Sequence, residues 1–431
     1  MAVKDELIFK LLEELDLQTP KNQKLQDYYD GKHKILNEAP KVDSTRNDER
    51  AYFNYCAKIV HNYVGYVLGN PVSYQSKQGN KEFVDIIDFY FSYWEKEHNI
   101  RLKKLTETFG YAYEVAYSNK ELEFQCAAFS PLEMIVLHDG SIERNISVGV
   151  RRYKKPFDDN IYVDVWDDVH FTKYQLNGGL LKQIERKNNF LSICPVIEST
   201  ASDSRKSAFW DIMRIIDLYN SVQSTAANEI LDHRTAYLVI ENADLTIEQA
   251  AKMKQNGIIL APPGSKVYWA TKDPHGSFIK DMLKDWQDEI YIQSNTVNLN
   301  ENFQSNTSGV SVRLKLQELE NITSIKVSLF EKVLKKRMKL FCAWLKYTQG
   351  LDFDFRDSAI TFTRNIPVDE QSIVSMIVAL QGILPQEDLL SWLPRVSDPG
   401  AALERLKKEQ DSMGLLNLDK QLAQQDGVVN E

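Results

Sequence analysis

The sequence is poor in the patterns on which protein chemistry usually rests. Its 431 residues hold four cysteines, Cys56, Cys126, Cys194 and Cys342, with no C-x-x-C among them. Isolated thiols argue against a disulfide scaffold and a cysteine-based zinc site, and they suit a reducing compartment. Neither G-x-G-x-x-G nor G-x-x-x-x-G-K-[ST] occurs, so no glycine loop is available to cradle nucleotide phosphates. No G-x-S-x-G elbow and no H-E-x-x-H is present, and the seven histidines share no spacing. No apolar run reaches the roughly 18 residues of a membrane span. Residues 1–17 are amphipathic with scattered acidic residues, unlike the basic tip and apolar stretch of a signal peptide. These absences lead to the expectation of a non-enzymatic protein with no metal, no cofactor and no membrane partner.

What is present points to a large, soluble, multidomain chain. Hydrophobic residues make up 43% and charged residues 26%, a globular balance, and the length exceeds one compact core. The net charge of -9 has the wrong sign for a protein that wraps DNA tightly. Residues 6–36 read as helical, and residues 37–50 as a polar loop. A helix over 51–67, with Tyr52, Cys56, Ile59, Val60, Tyr63 and Val67 on one face, stops at Gly69-Asn70-Pro71. A further helix is expected over 82–99 and another from Leu102.

Between Tyr111 and Lys187 the period shifts toward two. Strands are expected over 113–117, 134–137, 148–153, 161–165, 171–176 and 180–185, with Asp139-Gly140 and Asn177-Gly178-Gly179 as hairpin turns. Hairpins favour an antiparallel sheet and the α+β class. The helical period returns over 203–233, followed by a strand–helix–strand unit at 237–240, 246–255, 257–260 and 266–270. A helix over 274–295 comes next. The polar segment 296–308 then separates it from a helix over 309–345. After residue 366 the pattern is helical, broken at Pro385, Pro394 and Pro399-Gly400.

Few residues invite a chemical reading. His170 follows Asp164, Asp167 and Asp168, but a metal needs three or four converging ligands, and a solvated strand edge and turn explains the group. Asp139-Gly140 beside His138 is explained by its hairpin. The basic run Lys332, Lys335, Lys336, Arg337 and Lys339 could face nucleic acid, yet a solvated helix face or a charge match to a neighbouring subunit suits it better.

Four stretches, in order and at matching separations, carry a resemblance. The first is Tyr28-Tyr29-Asp30-Gly31 with His33. The second runs from Asn54-Tyr55 through Ile59-Val60 to Gly65–Val72. The third is Pro195–Glu198 followed by residues 203–228, including Ile216–Asn220 and Ser224–Glu229. The fourth is Asn302-Phe303, then Ser308-Gly309-Val310 and Leu314–Leu319. Together they resemble the SPP1-type family of phage portal proteins. Two departures stand out: Glu198-Ser199-Thr200-Ala201 replaces an Asn-rich continuation, and the region after Asp352 offers little to match.

The resemblance implies a mixed α+β portal fold. It places an antiparallel-sheet wing at 1–202, stem helices at 203–235 and 274–295, and a small α/β clip at 236–273. A tunnel loop follows at 296–308, then a long helix completing the wing at 309–365, and a helical crown and tail at 366–431. It implies a homo-oligomeric ring, a dodecamer, at the portal vertex of the virion, assembled in the host cytoplasm. Double-stranded DNA would pass Val297, Asn298, Leu299, Asn300, Glu301, Asn302, Phe303 and Gln304. Glu241, Asp244 and Glu248 on the clip would meet the large terminase subunit and later the head–tail adaptor. Major capsid and scaffolding proteins complete the implied partners. The second reading is another connector or adaptor without a DNA channel, and a third is a metal-dependent nuclease or other hydrolase.

Overall fold

The computed structural model describes residues 3–39, 47–232, 237–242, 246–256, 263–270, 276–298, 309–364 and 370–390, with scattered positions between 392 and 409. Two units are distinguished, 1–365 and 366–431, and the class is α+β with antiparallel sheets.

In the first unit, α1 (Asp5–Tyr29) opens with Asp5 and Glu6, whose charges complement the helix N-terminus. Its Ile8, Leu11, Leu12 and Leu15 share a core with Ile135, Val150, Val163 and Val165 of the main sheet. Next, α2 (Tyr55–Leu68) buries the predicted Cys56, Ile59, Val60, Tyr63 and Val67. It begins four residues later than its periodicity suggests, because residues 47–54 run without helix. Asn54 closes its first turn by accepting from the Ala57 amide at 3.0 Å.

The short strand β1 (Ser73–Ser76) leads into α3 (Lys81–Phe91) and α4 (Glu95–Phe109). One helix was expected over 82–99. The break at 92–94 lets Phe91 and Trp94 both join Phe124 and Phe341 in an aromatic cluster. The end of α4 is Gly110, with φ of +86°. A β-carbon there would run into the carbonyl of Arg205, so glycine serves both the turn and a close backbone approach.

The strands form more than the single sheet region expected. β2 (Tyr111–Ser118) lies between β3 (Phe124–Phe129) and β9 (Val196–Thr200). A five-stranded meander runs in order through β4 (Met134–His138), β5 (Ile146–Lys154), β6 (Ile161–Trp166), β7 (His170–Asn177) and β8 (Leu180–Asn188). Six of these strands match expected ones within a few residues; β3 was not foreseen.

α5 (Met213–Asp232) is shorter than the helix expected from residue 203. Tertiary contacts take over residues 205–208: Arg205 adopts φ of +51°, and the Ala208 amide donates to the Glu107 carbonyl at 2.8 Å. Beyond α5, β10 (Tyr237–Glu241) and β11 (Lys266–Ala270) form an antiparallel ribbon, with α6 (Ile247–Asn256) between them in sequence. The expected strand over 257–260 lies outside the described residues. α7 (Gly276–Gln293) and the 41-residue α8 (Gly309–Gln349) follow. The latter is about 60 Å long at 1.5 Å per residue. β12 (Ser358–Thr361) returns to pair with β1. The second unit holds α9 (Glu370–Leu380) and α10 (Gln386–Leu390), separated at Pro385.

Buried charge joins α8 to the rest of the first unit. Arg337 is fully buried; its Nε and Nη2 donate to Glu114 at 2.8 and 2.6 Å, and its Nη1 donates to Glu95 and Asn99, each at 2.8 Å. Tyr74 on β1 donates to the same Glu95 oxygen. Eleven residues earlier, Lys326 reaches buried Glu107 at 2.6 Å, and Lys103 lies 3.0 Å from the other oxygen of Glu107. Burial opposes ionisation of Glu114 and Glu107, but their cationic partners outweigh it and hold both carboxyls below their ordinary range. The basic run read from sequence is therefore two things: Arg337 belongs to the core, while Lys332, Lys335, Lys336 and Lys339 are exposed.

Candidate channel segment and its anchorage

The polar segment 296–308 begins where α7 stops. The Ser294 amide still donates to Ile290 at 3.1 Å. Asn295 then turns left-handed, with φ of +51°, and the Thr296 amide returns to the Tyr291 carbonyl at 3.0 Å. Asn is among the few non-glycine residues that enter this region at modest cost. The Ser294 and Thr296 hydroxyls lie 2.6 Å apart, and both residues are buried.

Two side chains of α2 grip this turn. Tyr63, buried, donates its hydroxyl to the Ser294 carbonyl at 2.7 Å. Lys58 donates to the Tyr291 hydroxyl at 2.7 Å. On the other side, the Lys326 ammonium of α8 sits 3.7 Å from the Tyr63 ring centroid while paired with Glu107. Burial pushes the Tyr63 hydroxyl well above the usual phenol range, so it stays a neutral donor. The start of the segment is thus fixed from α2 and braced from α8.

Of the expected channel residues, Val297 and Asn298 are half-buried beside this turn. Leu299, Asn300, Glu301, Asn302, Phe303 and Gln304 lie outside the described residues. The gripping residues Tyr63, Lys58 and Lys326 were not singled out for this role by sequence reasoning. Tyr63 sits on the apolar stripe of α2, where its ring reads as core and its hydroxyl leaves no periodic trace.

On the ribbon, Glu241 is exposed and accepts from the Tyr268 hydroxyl across the strand pair at 2.7 Å. Glu248 is exposed on α6, and Asp244 lies outside the described residues. The structure therefore places Glu241 and Glu248 on neighbouring elements without a contact that joins them. Val267 and Tyr268 are exposed apolar side chains of the same ribbon.

The histidine and acidic groups resolve into turns. Asp167 accepts from the amides of Val169 and His170, and Asn189 donates to the Asp167 carbonyl at 2.9 Å. Asp139 accepts from the Ser141 amide and hydroxyl. Among the described residues no group of three or more His, Cys, Asp or Glu converges as a metal site, and no helix is long and apolar enough to cross a membrane.

Comparison with known proteins extends over almost the whole chain. The chain is 22% identical over 417 residues to the portal protein of Bacillus phage SPP1, covering 90% of this chain and 80% of that protein. It is 23% identical over 426 residues to the portal protein of Clostridium phage phiCD119, covering 89% and 91%. A solved structure titled as the neck of an empty GTA particle computed with C6 symmetry aligns with a TM-score of 0.45 at 12% identity, covering 77% of this chain and 88% of that one. The family described as phage portal protein, SPP1 Gp6-like, matches residues 8–413, and the chain belongs to it.

Proposed function

We propose that the chain forms a closed ring, a dodecamer, at one vertex of the phage capsid, and that double-stranded DNA passes through its centre during packaging and ejection. The observation that carries this reading is the set of bare apolar side chains on the two stem helices. One face of α5 buries Ile216 and Tyr219, and one face of α7 buries Ile290 and Tyr291. Yet Leu218 and Ile230 of α5 and Phe278 and Ile292 of α7 stay 53–66% exposed. A helix that is apolar beyond its inner stripe calls for a second neighbour, and a closed ring of copies supplies one at every subunit.

The remaining parts follow from this arrangement. In the proposed ring, residues 1–202 and 309–365 form the wing, and residues 203–235 and 274–295 the stem. Residues 236–273 are the clip and 366–431 the crown and tail. Segment 296–308 lines the channel, where Asn and Ser side chains touch a passing duplex through brief, water-mediated bonds without sequence preference. Exposed Asp281 and Asp285 alternate with Lys280 and Lys284 on α7, a mixed face on which phosphates find no continuous basic track. The clip, with Glu241, Asp244 and Glu248, docks the large terminase subunit and then the head–tail adaptor. The wing and crown border major capsid and scaffolding proteins.

Electron microscopy of the purified protein tests the ring: a closed ring with a central hole is expected, and a stable monomer across salt and concentration overturns it. Asn300→Cys tests the channel. Crosslinking to DNA stalled during packaging is expected; reactivity only from the outer surface of the ring, with packaging unchanged, overturns the channel assignment.

A further inference from the structure

The family-like stretch in α5 contains a feature that ring formation does not require. Asn220, Ser224 and Asn228 follow one another at intervals of four and are all buried. Each grips the backbone of residues 49–53. Asn228 accepts from the Glu49 amide at 2.8 Å and donates to the Glu49 carbonyl at 2.9 Å. The Ser224 hydroxyl accepts from the Ala51 amide at 2.9 Å and donates to the Ala51 carbonyl at 3.0 Å. Asn220 accepts from the Phe53 amide at 2.9 Å.

The geometry explains why the three rungs fit. Four helical residues rise about 6.0 Å, and two residues of extended chain advance about 6.6 Å. A row at i, i+4 and i+8 therefore meets residues 49, 51 and 53 in step. Only main-chain atoms are read, so the side chains of the strap are free for other work. Arg50 uses that freedom: its guanidinium donates to the carbonyls of Ile35, Leu36, Glu38 and Ala39 at 2.6–3.3 Å. Directly after the strap, the Tyr55 amide donates to the Phe53 carbonyl at 2.9 Å. The Tyr55 ring stands edge-on to both Tyr219 of α5 and Tyr291 of α7, at 5.5 and 6.1 Å. The helix that Tyr55 opens is the one whose Tyr63 and Lys58 grip the turn at Ser294.

We propose that Asn220, Ser224 and Asn228 are positioning residues: through strap 49–53 and α2 they hold the start of the channel segment, at residues 294–296, in fixed register with stem helix α5. This rests on the reading of 296–308 as the channel segment. The ladder is rigid where aromatic contacts alone would slide, because each rung fixes an axial position to within a hydrogen bond. A carbonyl and an amide bound by the same side chain also leave neither group unsatisfied in the buried contact.

Hydrogen exchange read by mass spectrometry, on the full-length assembled protein, tests the proposal with Ser224→Ala, Ser224→Thr and Ala51→Pro. Each lost hydrogen bond corresponds to roughly a fivefold faster exchange. Ser224→Ala is expected to speed exchange at residues 49–53 and, in parallel, at residues 294–296. Ser224→Thr keeps the hydroxyl and restores both. Ala51→Pro removes one rung from the strap side and reproduces the alanine pattern with α5 untouched; should it not assemble, the two Ser224 variants decide. Faster exchange at 49–53 with residues 294–296 unchanged overturns the coupling, and no change at either place overturns the ladder. Native mass spectrometry of the same unmodified sample reads the subunit number separately. A missing ring counts against the proposed function, while the exchange data still judge the ladder.

Discussion

Arg337→Met removes the one cation that faces both Glu114 and Glu95. The wild-type guanidinium makes four hydrogen bonds of 2.6–2.8 Å to Glu114, Glu95 and Asn99 and has no exposed surface. Methionine fills part of the volume but leaves two buried carboxylates facing each other. Breaking a buried pair from one side costs about 3–5 kcal/mol, because the remaining charge stays desolvated. Spread over a unit of this size, that lowers the thermal midpoint by roughly 4–7 °C. Differential scanning calorimetry measures it. The same desolvation cost fixes the behaviour of a combined variant. Arg337→Met with Glu114→Met and Glu95→Gln no longer buries an unpaired charge, so it should unfold at a higher temperature than Arg337→Met alone. A midpoint for Arg337→Met within about 1 °C of wild type, a shift worth under about 1 kcal/mol, would overturn this account. So would a combined variant weaker than the single one.

Gly110→Ala places a methyl group against the Arg205 carbonyl at a left-handed φ, and is expected to cost more than about 2 kcal/mol, read as a drop in soluble yield and urea midpoint. Tyr63→Phe deletes the bond to the Ser294 carbonyl and should cost about 1 kcal/mol, with faster amide exchange confined to residues 294–298. Leu218→Lys with Ile230→Lys puts charge on the bare face of α5, so the proposed rings should fall to monomers by native mass spectrometry while the melting of the monomer changes little. The pH dependence follows from His98, which burial holds below its ordinary 6.5 despite the pull of Glu114. The unfolded chain then takes up this proton first, so stability declines as pH falls below about 6.5. His98→Gln should flatten the urea-midpoint curve below pH 6.5.

Much of the fold could be read from periodicity, and the exceptions have specific causes. The meander strands are separated by turns, two of which carry Asp139-Gly140 and Asn177-Gly178, so local pattern and tertiary role agree there. β1 and β12 pair Ser73–Ser76 with Ser358–Thr361 across nearly the whole first unit, and no local signal can announce a partner so distant. The expected helix at 203–212 is interrupted because Ser207 and Ala208 bond to the Glu107 carbonyl near the end of α4, while Arg205 and Lys206 turn back to Ser202. The start of α2 was misplaced for a related reason: the amides of residues 49, 51 and 53 are taken by α5 before a helix can claim them. At the candidate site, the polar break at 296–308 was visible, but its anchorage was not. Tyr63 and Lys58 act through single polar atoms on residues whose spacing signals only burial or exposure.

The two parts of the first unit are stabilised in different ways, and the difference bears on how a channel could work. The sheets, α4 and the later half of α8 are closed on themselves: Arg337 is buried with Glu114 and Glu95, its guanidinium 5.6 Å from the Trp94 ring centroid, and Lys326 closes over buried Glu107 against the Tyr63 ring. Buried ion pairs contribute little net stability compared with an apolar core, yet they penalise any shift that would separate them. They therefore fix where α8 lies along α4 more than they strengthen the fold. α5 and α7 have no such lock on their outer faces, where Leu218, Ile230, Phe278 and Ile292 remain bare. From within, α5 is held by buried Ile216 and Tyr219, by the Tyr28 hydroxyl donating to Asp217 at 2.8 Å, and by the ladder of Asn220, Ser224 and Asn228 on a strap of backbone, which is directional but narrow. In the proposed ring, a subunit built this way would keep its sheets and α4 in place whether or not it has neighbours, while α5 and α7 would acquire their full set of contacts only from adjacent copies. Under that proposal, assembly and the geometry of the candidate channel segment would be coupled, since the turn at Ser294 hangs from the same α2 that follows the strap.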